Sequence, residues 1–109
     1  MAFATVPVGD FVYEEGSSLV GTFGSSEFGH RCFCTRCGTP LLMQVDHQPE
    51  TLDFCIATLD EPERVPPGFH IFYGSHIGWA PTADPLPRYE RFRADTRGLA
   101  AGASETPLD

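Results

Sequence analysis

The sequence contains no lysine, and its seven basic residues are all arginines. With 15 acidic residues, the 109-residue chain has a formal net charge of −8. So acidic a surface does not support the counterion release that drives nucleic-acid binding. The arginines are dispersed except near the C-terminus, where we interpret Arg88, Arg91, Arg93 and Arg97 as a solvated group that balances local acids. The charge pattern therefore predicts no nucleic-acid partner.

Long apolar runs are also absent. No stretch of about 18 apolar residues occurs, so no membrane span and no membrane partner are predicted. The first ten residues, MAFATVPVGD, lack the basic start and the apolar stretch of a secretory signal. We therefore expect a cytoplasmic protein, in which disulfides are disfavoured and clustered cysteines act as ligands or reactive thiols.

Helical periodicity is missing as well, because no window keeps apolar residues at helical spacing over three turns. Eleven glycines and ten prolines instead separate short segments that are rich in β-branched and aromatic residues. These segments predict strands at residues 3–8, 11–15, 19–23, 30–34, 40–45, 52–59 and 69–75. The prediction is an all-β domain over residues 1–94, followed by a flexible tail over residues 95–109 that is small, polar and acidic.

Three of the four cysteines lie in the stretch RCFCTRCGTPL, residues 31–41. Cys34 and Cys37 form a C-x-x-C pair that is followed by Gly38. No helix is predicted after this pair, so the helix N-terminus that activates a thioredoxin-type thiol is missing. A strand, a tight turn and a glycine that can adopt a positive φ are typical of a zinc knuckle, in which two thiolates converge on one ion. Two reduced thiols at a turn are the alternative.

A structural zinc ion takes four ligands, and one knuckle supplies two of them. The sequence has no second C-x-x-C. Cys32 is an awkward third ligand, because two residues along a strand separate it from Cys34 by roughly 7 Å. Cys55 lies alone in the apolar run LDFCIATL, where we expect a small core residue. By spacing alone, Cys34 and Cys37 form half of a metal site.

Other residues with functional side chains are isolated in the sequence. His70 lies between bulky apolar neighbours in FHIFYGSH, and we expect a buried ring that is satisfied by a backbone partner. His47 lies in the polar loop VDHQPE, where we expect a solvated ring. Trp79 and Tyr89 could line a pocket, but as isolated aromatic residues they are expected in the core. No G-x-S-x-G, phosphate-binding glycine loop or H-E-x-x-H motif indicates another class of enzyme.

The order of four motifs resembles one known family. The motifs are RCFCTRCGTPL (31–41), ATLDEP (57–62), PPGFHI (66–71) and WAPTADPLPRY (79–89). In this order they resemble the glutathione-dependent formaldehyde-activating family, which includes the centromere protein V domain. The resemblance implies a fold of coiled antiparallel sheets, of the type shared with chaperone-like exchange factors of Rab GTPases.

The resemblance also implies a chemistry. Enzymes of the family are described as adding glutathione to formaldehyde to give S-hydroxymethylglutathione, and are classed as carbon–sulfur lyases. It implies glutathione or another small thiol as a partner and Zn²⁺ as a cofactor, and by position Cys34 and Cys37 match one ligand pair of the family's structural zinc. The family's G-x-C-x-C element and its catalytic C-H-C-x-x-C motif do not occur in this sequence. We therefore expect weak activity or none, and leave open whether the chain is an enzyme.

A second hypothesis belongs to a different functional class. The chain resembles the family domain without its first portion, and the loss of N-terminal strands would leave a sheet edge open to pairing with another chain. A non-catalytic, zinc-stabilised β module would then act through homodimerisation or partner binding. In such a homodimer, two Cys34–Cys37 pairs could complete one four-sulfur site.

Overall fold

The computed structural model describes residues 1–93, 103–104 and 107–108. The chain divides into two compact units, Met1–Pro66 and Pro67–Asp109. Most of the predicted tail, residues 95–109, lies outside the described residues, and the division into a domain and a tail stays a prediction. In the described part of the chain, no helix is long and apolar enough to cross a membrane.

The first unit is built on one antiparallel sheet, whose strands form where short β-branched and aromatic segments lie between turn residues. Its strands are β1 (Phe3–Pro7), β2 (Val20–Gly24), β3 (Gly29–Cys34), β4 (Pro40–Val45) and β5 (Thr51–Cys55). Their order across the sheet is β1-β5-β4-β3-β2, so β1 and β2 are the edge strands. All neighbouring pairs are antiparallel. The mostly β class is therefore confirmed, and five of the predicted strands form.

The predicted strand at residues 11–15 does not form; this segment packs against the sheet instead. The ring of Phe11 stacks on that of Phe54 at a centroid distance of 6.4 Å and meets Tyr13 edge-on at 5.1 Å. Between them, Val12 is 75% exposed. Side chains in this segment therefore do alternate between covered and exposed, but the segment packs against the sheet and does not add a strand to it.

The core of the first unit lies around β4 and β5. Its buried apolar residues are Leu42, Val45, Leu52, Cys55 and Ile56. The prediction for Cys55 is confirmed, since the residue is only 4% exposed and burial raises the pKa of its thiol. The predicted strand at 52–59 is too long, because β5 ends at Cys55 and residues Ile56–Thr58 form a 3-10 turn.

The second unit has little sheet in its described residues. Phe92–Arg93 (β6) pairs in parallel with Ala103–Ser104 (β7), and His70 forms an isolated bridge with Arg88. Tyr89 is buried in this unit: it is 8% exposed, and its ring meets that of Phe69 edge-on at a centroid distance of 6.0 Å. Tyr89 is therefore a core residue, as the sequence predicts.

The predicted strand at residues 69–75 is wrong. Phe72 has a φ of +54°, and Tyr73–Ser75 form a 3-10 turn directly after it. A bulky residue in the left-handed region ends an extended backbone and must be held by its surroundings. The Phe72 ring packs against Phe92 at a centroid distance of 4.7 Å, which holds it in place.

Candidate functional site

The cysteine knuckle, residues 34–38, closes the hairpin between β3 and β4. The amide of Gly38 donates to the Cys34 carbonyl at 2.7 Å, and the amide of Cys34 donates to the Thr39 carbonyl at 2.9 Å. Gly38 has a φ of +81°, which confirms the predicted turn, and a Cβ there would meet nothing within 4 Å. Glycine is therefore required at this position for its backbone conformation and not for space.

The knuckle brings its two thiols together. All four cysteines are free, and Cys37 is exposed whereas Cys34 is half-buried. The Cys37 Sγ lies 3.0 Å from the hydroxyl of Thr39. Hydrogen bonds from the Thr39 side chain, the Thr39 backbone and the Cys34 side chain lower the pKa of the Cys37 thiol below its ordinary 9.0. The thiolate is the form that binds metal, so the local hydrogen bonding favours a ligand.

The edge strand β2 holds the knuckle firmly from one side. Thr35 donates to the Leu19 carbonyl twice, from its amide at 2.8 Å and from its hydroxyl at 2.6 Å. Cys34 pairs with Val20, and a Cβ on Gly21 would lie 2.8 Å from the Thr35 methyl carbon. Residues 35–40 are nevertheless all exposed. The knuckle is therefore fixed in shape and open to solvent.

The described residues do not complete a zinc site around the knuckle. Within residues 1–93, 103–104 and 107–108, no group of three or more His, Cys, Asp or Glu side chains could hold a metal ion. The Cys32 Sγ contacts the Thr22 hydroxyl at 3.6 Å, and Cys55 is buried beside Met1, with a sulfur–sulfur distance of 3.4 Å. Two thiols are present where a tetrahedral zinc site takes four ligands, so the fit to zinc is half complete.

A second group of functional side chains, the polar cluster, lies in the second unit and was not predicted. It consists of His70, Tyr73, Thr82, Asp84 and Arg88. The Nε2 of His70 lies 3.0 Å from both carboxylate oxygens of Asp84. The expectation of a buried His70 with a backbone partner for its ring is therefore wrong: a quarter of the side chain is exposed, and its partner is a carboxylate.

Asp84 is the acceptor at the centre of the polar cluster. Besides His70, its Oδ1 accepts a hydrogen bond from the Leu86 amide at 2.9 Å. The His70 ring, followed by the Leu86 amide, lowers the pKa of Asp84 below its ordinary 3.8. Asp84 is therefore held in its charged form.

Arg88 ties the polar cluster to the loop before it. Its Nε and Nη2 reach the Thr82 hydroxyl at 3.1 and 2.7 Å, Nη1 donates to the Leu86 carbonyl at 3.0 Å, and Nη2 also donates to the Asp84 carbonyl at 2.7 Å. The guanidinium carbon lies 5.2 Å from the centre of the Tyr73 ring. Because these donors are used within the loop, Arg88 holds structure and is not offered to a ligand.

The remaining sequence candidates separate into two groups. His47 is exposed, as predicted, with its ring 4.8 Å from that of Phe28. Trp79 is 81% exposed, so the expectation that it lies in the core is wrong. A lone aromatic residue in a proline- and glycine-rich segment gives no periodicity from which its burial could be read.

One concavity of the first unit has the wrong chemistry for glutathione. It has a volume of about 430 Å³ and is lined mostly by apolar side chains, among them Phe3, Phe23 and Phe33, with Arg31 as a charged side chain at its wall. Glutathione carries two carboxylates and an ammonium group, which need several polar partners when they leave water. This concavity is therefore not a preformed glutathione site.

Comparison with known proteins gives one family match. The profile of a family described as glutathione-dependent formaldehyde-activating enzyme matches residues 1–75 of the 109. The matched segment contains the knuckle and His70, and it ends before Asp84 and Arg88. No curated protein and no solved structure matches the chain.

Proposed function

The chain belongs to the glutathione-dependent formaldehyde-activating enzyme family, and from this premise we propose that it is a zinc protein whose metal ligands include Cys34 and Cys37. The observation that carries the proposal is the shape of the knuckle. Cys34 and Cys37 lie at the two ends of one fixed turn, which the Gly38–Cys34 hydrogen bond closes and in which Gly38 has a φ of +81°. Such a turn is the backbone shape in which a zinc knuckle supplies two sulfur ligands.

The proposal extends to the fold and the compartment. For the first unit we propose the coiled antiparallel fold of the family, the type shared with exchange-factor chaperones of Rab GTPases; the five-stranded antiparallel sheet supports it. We also propose a cytoplasmic location, because four free thiols suit a reducing compartment.

The family reaction itself needs more than this chain supplies. Adding the sulfur of glutathione to the carbon of formaldehyde at a zinc centre requires an ion that is held by three protein ligands with one position left open. The knuckle provides two ligands, and the apolar concavity does not suit glutathione. The residues of this chain alone are therefore expected to leave adduct formation at its spontaneous rate.

Zinc binding is tested with matched cysteine variants. The measurement is the zinc content and zinc affinity of the purified chain, with the absorption of the cobalt-substituted form as evidence for sulfur ligands. Cys34→Ser or Cys37→Ser should weaken zinc binding more than about 100-fold, because loss of even an outer partner of a ligand costs 10- to 100-fold. Cys32→Ser is the control, since it removes a thiol from the same stretch without touching the knuckle. Wild-type protein that takes up no zinc, or an equal loss in the control, would contradict the proposal.

Activity is tested separately. The chain is mixed with glutathione and formaldehyde, with and without zinc, and S-hydroxymethylglutathione is followed by NMR. The expected rate equals that of the same mixture without protein. A protein-dependent rate well above this baseline, lost in Cys34→Ser, would show that the chain forms a catalytic centre by itself.

A further inference from the structure

We propose that the apolar concavity of the first unit binds a small amphipathic monocarboxylate, whose charged end pairs with Arg31 and whose apolar body covers the phenylalanine rings of the wall. The knuckle residues 34–38 do not line this concavity, so the inference does not depend on the proposed zinc binding. It assigns a class of ligand to a surface whose chemistry does not suit glutathione.

The strand register places the concavity on one face of the sheet. Residues directly opposite each other on neighbouring strands share a face, and so do residues two apart on one strand. Phe3 lies opposite Cys55, and Phe23 lies opposite Arg31. Phe33 is two residues from Arg31, and all five residues line the concavity. The wall therefore spans the sheet from the edge strand β1 to the edge strand β2.

The two faces of the sheet differ in how their aromatic side chains are covered. On the face opposite the concavity, the ring of Phe54 is stacked with that of Phe11 at a centroid distance of 6.4 Å. On the concavity side, Phe23 is 64% exposed and Phe33 is half-buried. Apolar surface that stays in water is unfavourable, and contiguous apolar patches mark ligand grooves and interfaces. A ligand with an apolar body would remove this surface from water.

The size and composition of the concavity suit a small molecule. Its volume of about 430 Å³ lies within the range of roughly 300–1,000 Å³ that is typical of small-molecule sites. Such sites are lined mostly by apolar and aromatic side chains, and a few polar groups fix the orientation of the ligand. The phenylalanine rings and the Arg31 guanidinium give the wall this composition.

Arg31 selects the charge of the ligand. The chain has a net charge of −8, so an anion must bind beside a basic side chain. The positive charge of Arg31 is felt within the concavity: burial raises the pKa of the Cys55 thiol, and Arg31 lowers that pKa in part. A guanidinium pairs with a carboxylate through two parallel hydrogen bonds. A second negative charge, as in a phosphate monoester, would meet the apolar wall without a partner.

One acidic residue shares this face of the sheet but does not line the concavity. Asp53 lies opposite Met43, which in turn lies opposite Arg31, so Asp53 and Arg31 are two strands apart. The Asp53 side chain is 6% exposed and accepts a hydrogen bond from the Thr5 hydroxyl at 2.6 Å. Arg31 is exposed, so a ligand in the concavity can reach the guanidinium from the solvent side.

Calorimetric titration of the intact chain with octanoate and with octanol tests the inference. The two probes share an alkyl chain and differ in the charged group. Metal is removed beforehand by dialysis against a chelator, so that no ion at the knuckle takes part. We expect saturable binding of octanoate, about tenfold tighter than that of octanol, because a guanidinium binds a carboxylate more strongly than a hydroxyl group.

Arg31→Met tests the charged contact, because methionine keeps an apolar side chain at the wall and removes the guanidinium. This variant should lose the preference for octanoate and bind octanol like the wild type. Arg64→Met is the matched control, since Arg64 is an exposed arginine of the same unit that pairs with Glu61. A preference that survives in Arg31→Met, or that is lost equally in Arg64→Met, would overturn the assignment of Arg31.

Phe23→Ser tests the apolar contact. Phe23 is 64% exposed, so its removal leaves the core intact. Both probes should bind about fivefold more weakly, because less apolar surface is covered. Phe28→Ser is the control: this ring is 41% exposed, lies against His47 and does not line the concavity. Circular dichroism spectra shared by all variants show that they are folded, and an equal loss of binding in Phe28→Ser would overturn the site.

Two further results of the wild-type titrations would overturn the inference. If octanoate and octanol bind with equal affinity, the concavity does not select a carboxylate. If neither probe binds at millimolar concentration, the concavity is not a ligand site. Zinc content is measured on a separate sample of the same protein, so either result leaves the proposed zinc binding standing, and a chain without zinc leaves the ligand site standing.

Discussion

The knuckle in Met1–Pro66 and the polar cluster in Pro67–Asp109 both gather functional side chains at a turn, yet they differ in how completely those side chains are paired. In the polar cluster, the carboxylate of Asp84 is hydrogen-bonded to His70 and to a backbone amide. Arg88 donates its hydrogen bonds to the loop that precedes it. In the knuckle, the Cys37 thiol contacts the Thr39 hydroxyl at 3.0 Å, and residues 35–40 around it are exposed.

This difference separates a structural role from a binding role. Hydrogen bonds to charged groups stabilise a fold when both partners are present, and an internally satisfied cluster leaves no donor for a ligand. The knuckle has the opposite character, because its Cys37 thiol is exposed and the proposed zinc ion would bind there without breaking a hydrogen bond of an Arg or Asp side chain. We therefore expect substitutions in the polar cluster to change stability and substitutions in the knuckle to change metal binding.

The largest stability effect should come from Arg88→Met. Removing the guanidinium leaves the Thr82, Asp84 and Leu86 oxygens without their donor and should lower the free energy of unfolding by about 3 kcal/mol. Urea unfolding followed by circular dichroism measures this change. The control is Arg91→Met, three residues further on and exposed. An equal loss of unfolding free energy in Arg91→Met would contradict the structural role of Arg88. A comparable loss in metal-free Cys37→Ser would contradict the difference between the two regions.

The next effect tests the backbone of the knuckle. Gly38→Ala introduces a Cβ at a φ of +81°, with no atom within 4 Å to contact it. An L-residue in the left-handed region costs about 1–2 kcal/mol, so the unfolding free energy should fall by that amount. Gly24→Ala is the control, since Gly24 also has open space around it and has no positive φ. If Gly38→Ala were as stable as this control, the turn would not depend on glycine, and the geometric argument for the knuckle would weaken.

The knuckle could be predicted from sequence because its signals are local. Cysteine spacing, Gly38 and two flanking β-rich segments lie within a dozen residues, and each limits the backbone directly. The five strands of the first unit were predictable for the same reason. The structure of residues 11–15 could not be predicted from the pattern. Their side chains alternate as in a strand, but the segment packs on the sheet through the contact of Phe11 with Phe54.

The polar cluster could not be predicted because its contacts join distant residues. His70 and Asp84 are 14 positions apart, with turns and prolines between them. Propensity favours a strand at FHIFYGS, but the packing of Phe72 on Phe92 holds a positive φ that ends the extended backbone. Tertiary contacts decide such a segment, since strand propensity is a weak and context-dependent preference.

A smaller effect should appear in acid. His70 and the Leu86 amide lower the pKa of Asp84 from its ordinary 3.8, so the charged form is bound more favourably in the folded chain. The stability that this carboxylate contributes is present above the ordinary pKa and is lost as the pH falls through the lowered one. Unfolding midpoints measured between about pH 5 and pH 2 should therefore fall less steeply in Asp84→Asn than in the wild type. Asp60→Asn, at an exposed position, should follow the wild-type curve; if Asp84→Asn does so as well, the carboxylate does not support the polar cluster.

The smallest effect concerns two tyrosines that show the same contrast between the two regions on a smaller scale. The Tyr13 hydroxyl in the first unit is buried with no hydrogen-bond partner among the described residues, and burial raises its pKa. The Tyr73 hydroxyl in the polar cluster accepts a hydrogen bond from Thr82 at 3.3 Å. Tyr13→Phe should leave the unfolding free energy unchanged or raise it by about 0.5–1 kcal/mol, because it removes an unsatisfied buried group. Tyr73→Phe should lower the urea midpoint, because it leaves Thr82 without its acceptor. A loss of stability in Tyr13→Phe would contradict this contrast, because it would mean that the Tyr13 hydroxyl has a hydrogen-bond partner.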